Sequence, residues 1–280
     1  MRWQGRRQST NIEDRRGITG GHIAAGGGIG TLVIGLIIYL LGGNPSEVLN
    51  NNNDLTAAPQ QQSAQQQQAN DETKQFIGVV LAETEDVWTK LFDDMNKQYI
   101  KPTLVLFTQS TAGGCGNANA ATGPFYCPAD EKVYLDVSFF QEMQQRFHAS
   151  GDFAEAYVIA HEVGHHVQNL LGITEKVDAK RGVMGETQMN SLSVKLELQA
   201  DFLAGVWAHY DNKILDPGDI EDALNAANAI GDDRLQMQSQ GYVVPDAFTH
   251  GTSEQRMYWF KKGYETGDIN QGDTFNAPDL

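Results

Sequence analysis

Cysteine is nearly absent from this chain of 280 residues, with Cys115 and Cys127 the only two. No CxxC unit and no histidine pair lies beside them, so zinc ligation by this pair is the weakest of its readings. In an oxidising compartment they would bridge and close a Gly- and Ala-rich loop; in a reducing one they would stay free thiols. Basic side chains are scarce too, 20 against 36 acidic ones, for a formal net charge of -16. A surplus of that sign repels phosphate backbones and argues against a nucleic-acid partner. No internal repeat occurs from Asp71 to the end, a stretch that reads as one domain, residues 71–280. With 40% hydrophobic and 20% charged residues, the composition suits a globular protein with one substantial core.

Long apolar runs are lacking as well, with one exception. Ile23 to Leu41 contains no Asp, Glu, Lys, Arg or His. Its 19 residues would span about 28 Å as a helix, close to the roughly 30 Å hydrocarbon core of a bilayer. A cleaved signal peptide is the alternative, because Gly26, Gly27, Gly28, Gly30 and Gly35 dilute the run; however, no A-x-A-like site follows Leu41. The expectation is an N-terminal transmembrane anchor over 23–41. Arg2, Arg6, Arg7, Arg15 and Arg16 precede it, which by the positive-inside rule makes residues 1–22 a basic cytoplasmic end and puts the remainder outside the cytoplasmic membrane. That location favours the bridged state of Cys115 and Cys127. Residues 42–70, rich in Asn and Gln, cannot bury enough surface to offset their ordering entropy and read as a tether.

Within the domain, Phe76, Val80, Val87, Leu91 and Met95 recur at helical spacing, predicting a helix over 72–99. Residues 103–108 and Lys132 to Asp136 read as strands, and Phe125 to Cys127 could pair with the latter across a turn at 128–131. Ser138 and Gln141 have capping-box spacing, predicting a helix to about His148.

The chemistry concentrates in the next predicted helix, from Asp152 to a stop at Gly172, which carries His161-Glu162-Val163-Gly164-His165. At about 100° per residue, His161 and His165 fall about 40° apart, one turn from each other, and can reach one metal ion. Glu162 is about 100° from the first ligand, where its carboxylate can meet a water on the metal without joining the coordination. Gly164 suits a buried helix that another element approaches closely. His166 points elsewhere and reads as structural.

Catalytic zinc takes three protein ligands and leaves one position open. A predicted helix over 191–210 supplies Glu197 and Asp201, four apart and flanked by Leu196, Leu198, Phe202 and Leu203, where unpaired acids are costly. Glu197 is the candidate third ligand; Asp201 would accept a hydrogen bond from a ligating histidine and fix its tautomer. A solvated acidic pair on an amphipathic helix is the bland alternative. His250, before a helix opened by Thr252 and Gln255 in capping-box spacing, is a candidate oxyanion donor, although a loop histidine is more often a structural hydrogen-bonder. Arg256 is a weaker rival, equally explained by a salt bridge.

HEVGHH followed by LELQAD resembles the bacterial family named putative neutral zinc metallopeptidases, among the zincin-like peptidases. The opening MRWQGRR, the GCG to GPFYCPAD and KVYLD block and the late HGTSEQR are similar to it too, so the resemblance covers nearly the whole chain except the linker. It implies an α+β, zincin-like domain, Zn2+ held by His161, His165 and Glu197, Glu162 as general base, and a peptide or protein substrate. An extended substrate is expected to add to the edge of the Lys132 to Asp136 strand. Two alternatives stay open: an envelope scaffold that keeps the metal site without cleaving, and a zinc amidase acting on a non-peptide or cell-wall amide.

Overall fold

A computed structural model describes residues 1–16, 64–119 and 123–277. The expected anchor over 23–41 lies outside the described residues, as does the tether up to residue 63. Among the described residues no helix is long and apolar enough to cross a membrane.

The domain is α+β and helix-rich. Its sheet has four strands in the order β1-β2-β6-β5: β1 (Ile12–Asp14), β2 (Thr103–Phe107), β6 (Lys132–Asp136) and β5 (Phe125–Cys127). The pairs β1/β2 and β2/β6 are parallel, while β5 runs antiparallel to β6 with Phe125 opposite Tyr134. The near-continuous apolar run TLVLF follows from cover on both faces. Leu104 and Leu106, with Val133 and Leu135, point into the main core. Val105 and Phe107, with Tyr134 and Cys127, point the other way into a small second core. That second core also buries Ala118, from the hairpin of β3 (Ser110–Gly113) and β4 (Gly116–Asn119).

The main core is closed by helices. The first, α1, spans Ala64–Asp94 and buries Phe76, Ile77, Val80, Leu81, Trp88, Leu91 and Phe92. It starts earlier than the predicted 72, inside the Gln-rich stretch, and stops at Asp94 instead of 99. After β6 come α2 (Ser138–Arg146) and α3 (Asp152–Leu170). The predicted Ser138 cap is replaced: the Ser138 amide and hydroxyl donate to Asp136 Oδ1 at 2.9 and 2.8 Å, so the strand-ending aspartate anchors the helix start. Next follow α4 (Ile173–Asp178), α5 (Glu186–Tyr210), α6 (Asp219–Ala229), α7 (Asp232–Gln240) and α8 (Ser253–Thr266). Here the capping box holds, with Thr252 and Gln255 exchanging side-chain to backbone bonds of 3.1 and 2.9 Å.

Helix α3 is buried nearly all round, as a central helix must be. Its crossing with α5 is close because Gly164 has no Cβ; one added there would lie 2.9 Å from the Ala200 carbonyl oxygen. Two further glycines bring α8 against α5, since a Cβ on Gly263 would meet Phe202 O at 2.0 Å and one on Gly205 would meet Phe260 O at 2.1 Å.

The domain boundary at residue 71 needs correction. Residues 1–16 are part of this fold: β1 is a strand of the sheet, Leu104 N donates to Asn11 O at 2.8 Å, and Arg15 N donates to Leu106 O at 2.7 Å. The run of arginines read as a basic cytoplasmic end, but Arg2, Arg6 and Arg7 pair with Asp216, Glu83 and Asp86, far off along the chain, where sequence reading has no reach.

Candidate metal centre

The α3/α5 crossing sets Glu197 over the histidine face of α3. His161 and His165 stack edge to face with ring centroids 4.8 Å apart, as one helical turn dictates. Their Nε2 atoms converge on one oxygen, Glu197 Oε2, at 3.1 and 3.4 Å. Tetrahedral bonds of 2.0–2.2 Å place ligand atoms about 3.3 Å from one another, so this spacing fits zinc. The three residues offer donor atoms within 4.8 Å of one another, and among the described residues no other group of three does so.

The opposite ring edges are held. His161 Nδ1 donates to Asp201 Oδ1 at 2.7 Å and His165 Nδ1 to Gln168 Oε1 at 2.9 Å. Gln168 has no freedom to flip, because its Nε2 donates to the Leu196 carbonyl at 2.7 Å. Both bonds turn the Nε2 atoms toward Glu197, where neutral rings would offer their lone pairs to a metal. Asp201 is fully buried and is also met by Tyr157 OH at 2.5 Å and by Arg256 Nε and Nη2 at 2.8 and 3.0 Å. Burial alone would raise the Asp201 carboxyl; Arg256 and then His161 outweigh it and hold the group at about 2. Burial would depress His161, but Asp201 and Glu197 raise it to about 10. Burial would likewise raise Glu197, which the two histidines instead pull well below the usual carboxylate range. The pocket therefore demands positive charge between imidazole and carboxylate, supplied by protons or by a cation.

Glu162, mostly buried, faces a cavity of about 840 Å³ that also exposes His161, His165, Glu197, His250 and Tyr126. Sequence reading missed what holds His250. Asp232 Oδ2 accepts from the backbone N–H groups of Thr249, His250 and Gly251, and Oδ1 lies 3.3 Å from His250 Nδ1. The ring is 51% exposed at the cavity mouth. No local pattern links residues 18 apart, so Asp232 had no signal. Gln168 had one, three positions after His165 on the same helix. Arg256 proves to be the buried partner of Asp201, as the salt-bridge reading has it, and it also lines the cavity.

His166 is turned away, as predicted. Its Nε2 donates to Ile100 O at 2.6 Å; with burial keeping the ring neutral, Nδ1 accepts from Tyr126 OH at 3.0 Å. Asn169 adds a bond to the same hydroxyl, so β5 is laced to α3 beside the site. Cys115 and Cys127 are bridged, tying the tip of the β3/β4 hairpin to the end of β5.

The family described as Putative neutral zinc metallopeptidase matches residues 1–275. The chain is 50% identical to the uncharacterized protein YpfJ of Escherichia coli K12 over 98% of this chain and 99% of that one. It is 47% identical to the uncharacterized protein Mb2605 of Mycobacterium bovis over 65% of each, and equally to Rv2575 of Mycobacterium tuberculosis H37Rv. No solved structure matches significantly. The match over residues 1–275, together with the gathered His161, His165 and Glu197, places the chain in the neutral zinc metallopeptidase family.

Proposed function

We propose that this protein is a zinc-dependent peptidase that hydrolyses extended peptides in an oxidising compartment outside the cytoplasm. The convergence of His161 Nε2 and His165 Nε2 on Glu197 Oε2, at the floor of an open cavity, carries the reading. Zinc, when bound there, supplies a Lewis acid that acidifies water and polarises a carbonyl. Glu162 takes the proton of the attacking water and returns it to the leaving amine. His250, aimed by Asp232, donates to the oxygen on which negative charge develops. The Cys115–Cys127 bridge supports the oxidising location, and the apolar run over 23–41 supports contact with a membrane.

The strand proposed to receive the substrate differs from the one expected. Lys132–Asp136 has β2 on one side and, along Lys132–Tyr134, β5 on the other, so most of its length is already paired. β5 is an outer strand of the sheet, and its Phe125 and Tyr126 line the metal cavity. A substrate strand laid along Phe125–Cys127 would bring its carbonyls past the cavity.

The test is cleavage of an unfolded protein by the purified full chain, abolished by a chelator and restored by Zn2+. A zinc-loaded chain that leaves unfolded proteins intact but opens a cell-wall amide would replace this reading with the amidase one.

Two smaller effects are expected. His250→Ala should lower kcat about a hundredfold, as loss of an oxyanion donor does, with little change in zinc content. Near wild-type turnover would remove His250 from the mechanism. Gln168→Leu, which strips His165 Nδ1 of its acceptor, should weaken zinc affinity roughly ten- to a hundredfold in a chelator competition. An unchanged affinity would make Gln168 a packing residue only.

A further inference from the structure

The arginines that a sequence reading takes as a cytoplasmic signal are spent inside the domain. Arg2 pairs with Asp216 at 3.2 Å, Arg6 with Glu83 at 2.6 Å, Arg7 with Asp86 at 2.7 Å, Arg15 with Glu13 at 2.9 Å and Arg16 with Asp14 at 2.8 Å. Arg6 and Arg7 also reach two carboxylates buried on α1, Glu83 and Glu85, where a lone charge is costly. Glu83 is 5% exposed and is paired by both Arg6 and Lys213. Glu85, 1% exposed, accepts from the Ser9 hydroxyl, from Asn11 Nδ2 at 2.7 Å and from Arg7 at 3.3 Å; without residues 1–16 only Lys101 would remain. Trp3 completes the seam, its ring 5.5 Å from Phe76 and its Nε1 donating to Asp152 at 2.8 Å. Together with β1, these contacts make the first 16 residues part of the folded domain and not a separate tail.

That fold constrains topology. An odd number of membrane passes between residues 16 and 73 would put β1 and β2 on opposite faces of a hydrocarbon layer about 30 Å thick, where they could not share a ladder. The sequence between them has one apolar run long enough to cross, Ile23 to Leu41, and then a polar Asn- and Gln-rich stretch that cannot cross back. One pass is forbidden by the sheet, and a second has no segment to make it. We infer that residues 1–16 and the metal centre lie on the same side of the membrane, because the β1/β2 ladder joins them in one folded body.

The test uses the full chain in membrane vesicles of known orientation and a membrane-impermeant maleimide. Gln4→Cys and Ser191→Cys each place one thiol at an exposed position, one in the N-terminal segment and one on α5, with the native bridge leaving no other free thiol. Both are expected to label in the same vesicle orientation and both to need detergent in the other. Labelling of the two in opposite orientations would overturn the inference. No step of the assay depends on zinc or on peptidase activity, so its failure and that of the peptidase reading are separate results.

Discussion

Glu162→Gln should keep full zinc occupancy and lose turnover by about 10²–10⁴, the range for removing a general base. Glutamine preserves the shape and one accepting oxygen but cannot take a proton. His161→Ala, His165→Ala and Glu197→Ala should behave differently, losing metal and activity together, because each deletes one of the three atoms that converge at 3.1–3.4 Å. Metal analysis beside single-turnover cleavage separates the two classes. A Glu162→Gln protein cleaving at the wild-type rate would end the proposed mechanism, whatever its zinc content. A zinc-free one would instead move Glu162 among the ligands.

Arg256→Met should destabilise the metal-free protein by about 3–5 kcal/mol, the usual cost of stranding a buried charge by removing its partner. The midpoint of thermal unfolding should fall on the order of 10 °C for a domain of this size. Asp201 is the stranded group: it has no exposed surface, and Arg256 contributes two of its hydrogen bonds. The pH dependence follows from its depressed pKa. A carboxyl held at about 2 in the fold, against the ordinary 3.8, contributes stability that is complete above about pH 4 and is lost as pH falls towards 2. The gap between wild type and Arg256→Met should therefore be widest near neutrality and narrow through that window. The double variant Asp201→Leu, Arg256→Met removes both charges and should recover most of the stability. It should still bind zinc roughly ten- to a hundredfold more weakly, because His161 Nδ1 has lost the acceptor that orients it. Equal stability of Arg256→Met and wild type in urea at pH 7 would show that the Asp201 pair is not a strong interaction.

The legible parts of this protein are those with a short period. Strand Lys132–Asp136 was readable to the residue, as was Phe125–Cys127 and its pairing across the turn. The helix beginning at Asp152 was readable too, because alternation and helical spacing are local properties of the chain. The clustered residues were legible for the same reason: His161 and His165 declare themselves by one helical turn, and Glu197 and Asp201 by another. Helix ends were less legible, since α1 extends into glutamines with no apolar signal and α2 takes its cap from Asp136 instead of from Ser138.

What the chain alone determined is therefore the inventory: a histidine pair, a glutamate beside it, two acids one turn apart and a glycine to let helices meet. That Glu197 meets both Nε2 atoms while Asp201 meets the far edge of His161 is a product of the α3/α5 crossing at Gly164, a contact between residues 36 apart in sequence. The place of the first 16 residues was decided in three dimensions as well. A parallel partner some 90 positions away carries no local trace, and arginines that neutralise buried glutamates look, in one dimension, like arginines that face a membrane. The same holds for the free edge of the sheet. Period two predicts that Lys132–Asp136 is a strand, but only the order of its neighbours shows that it is interior and that Phe125–Cys127 is left to border the cavity.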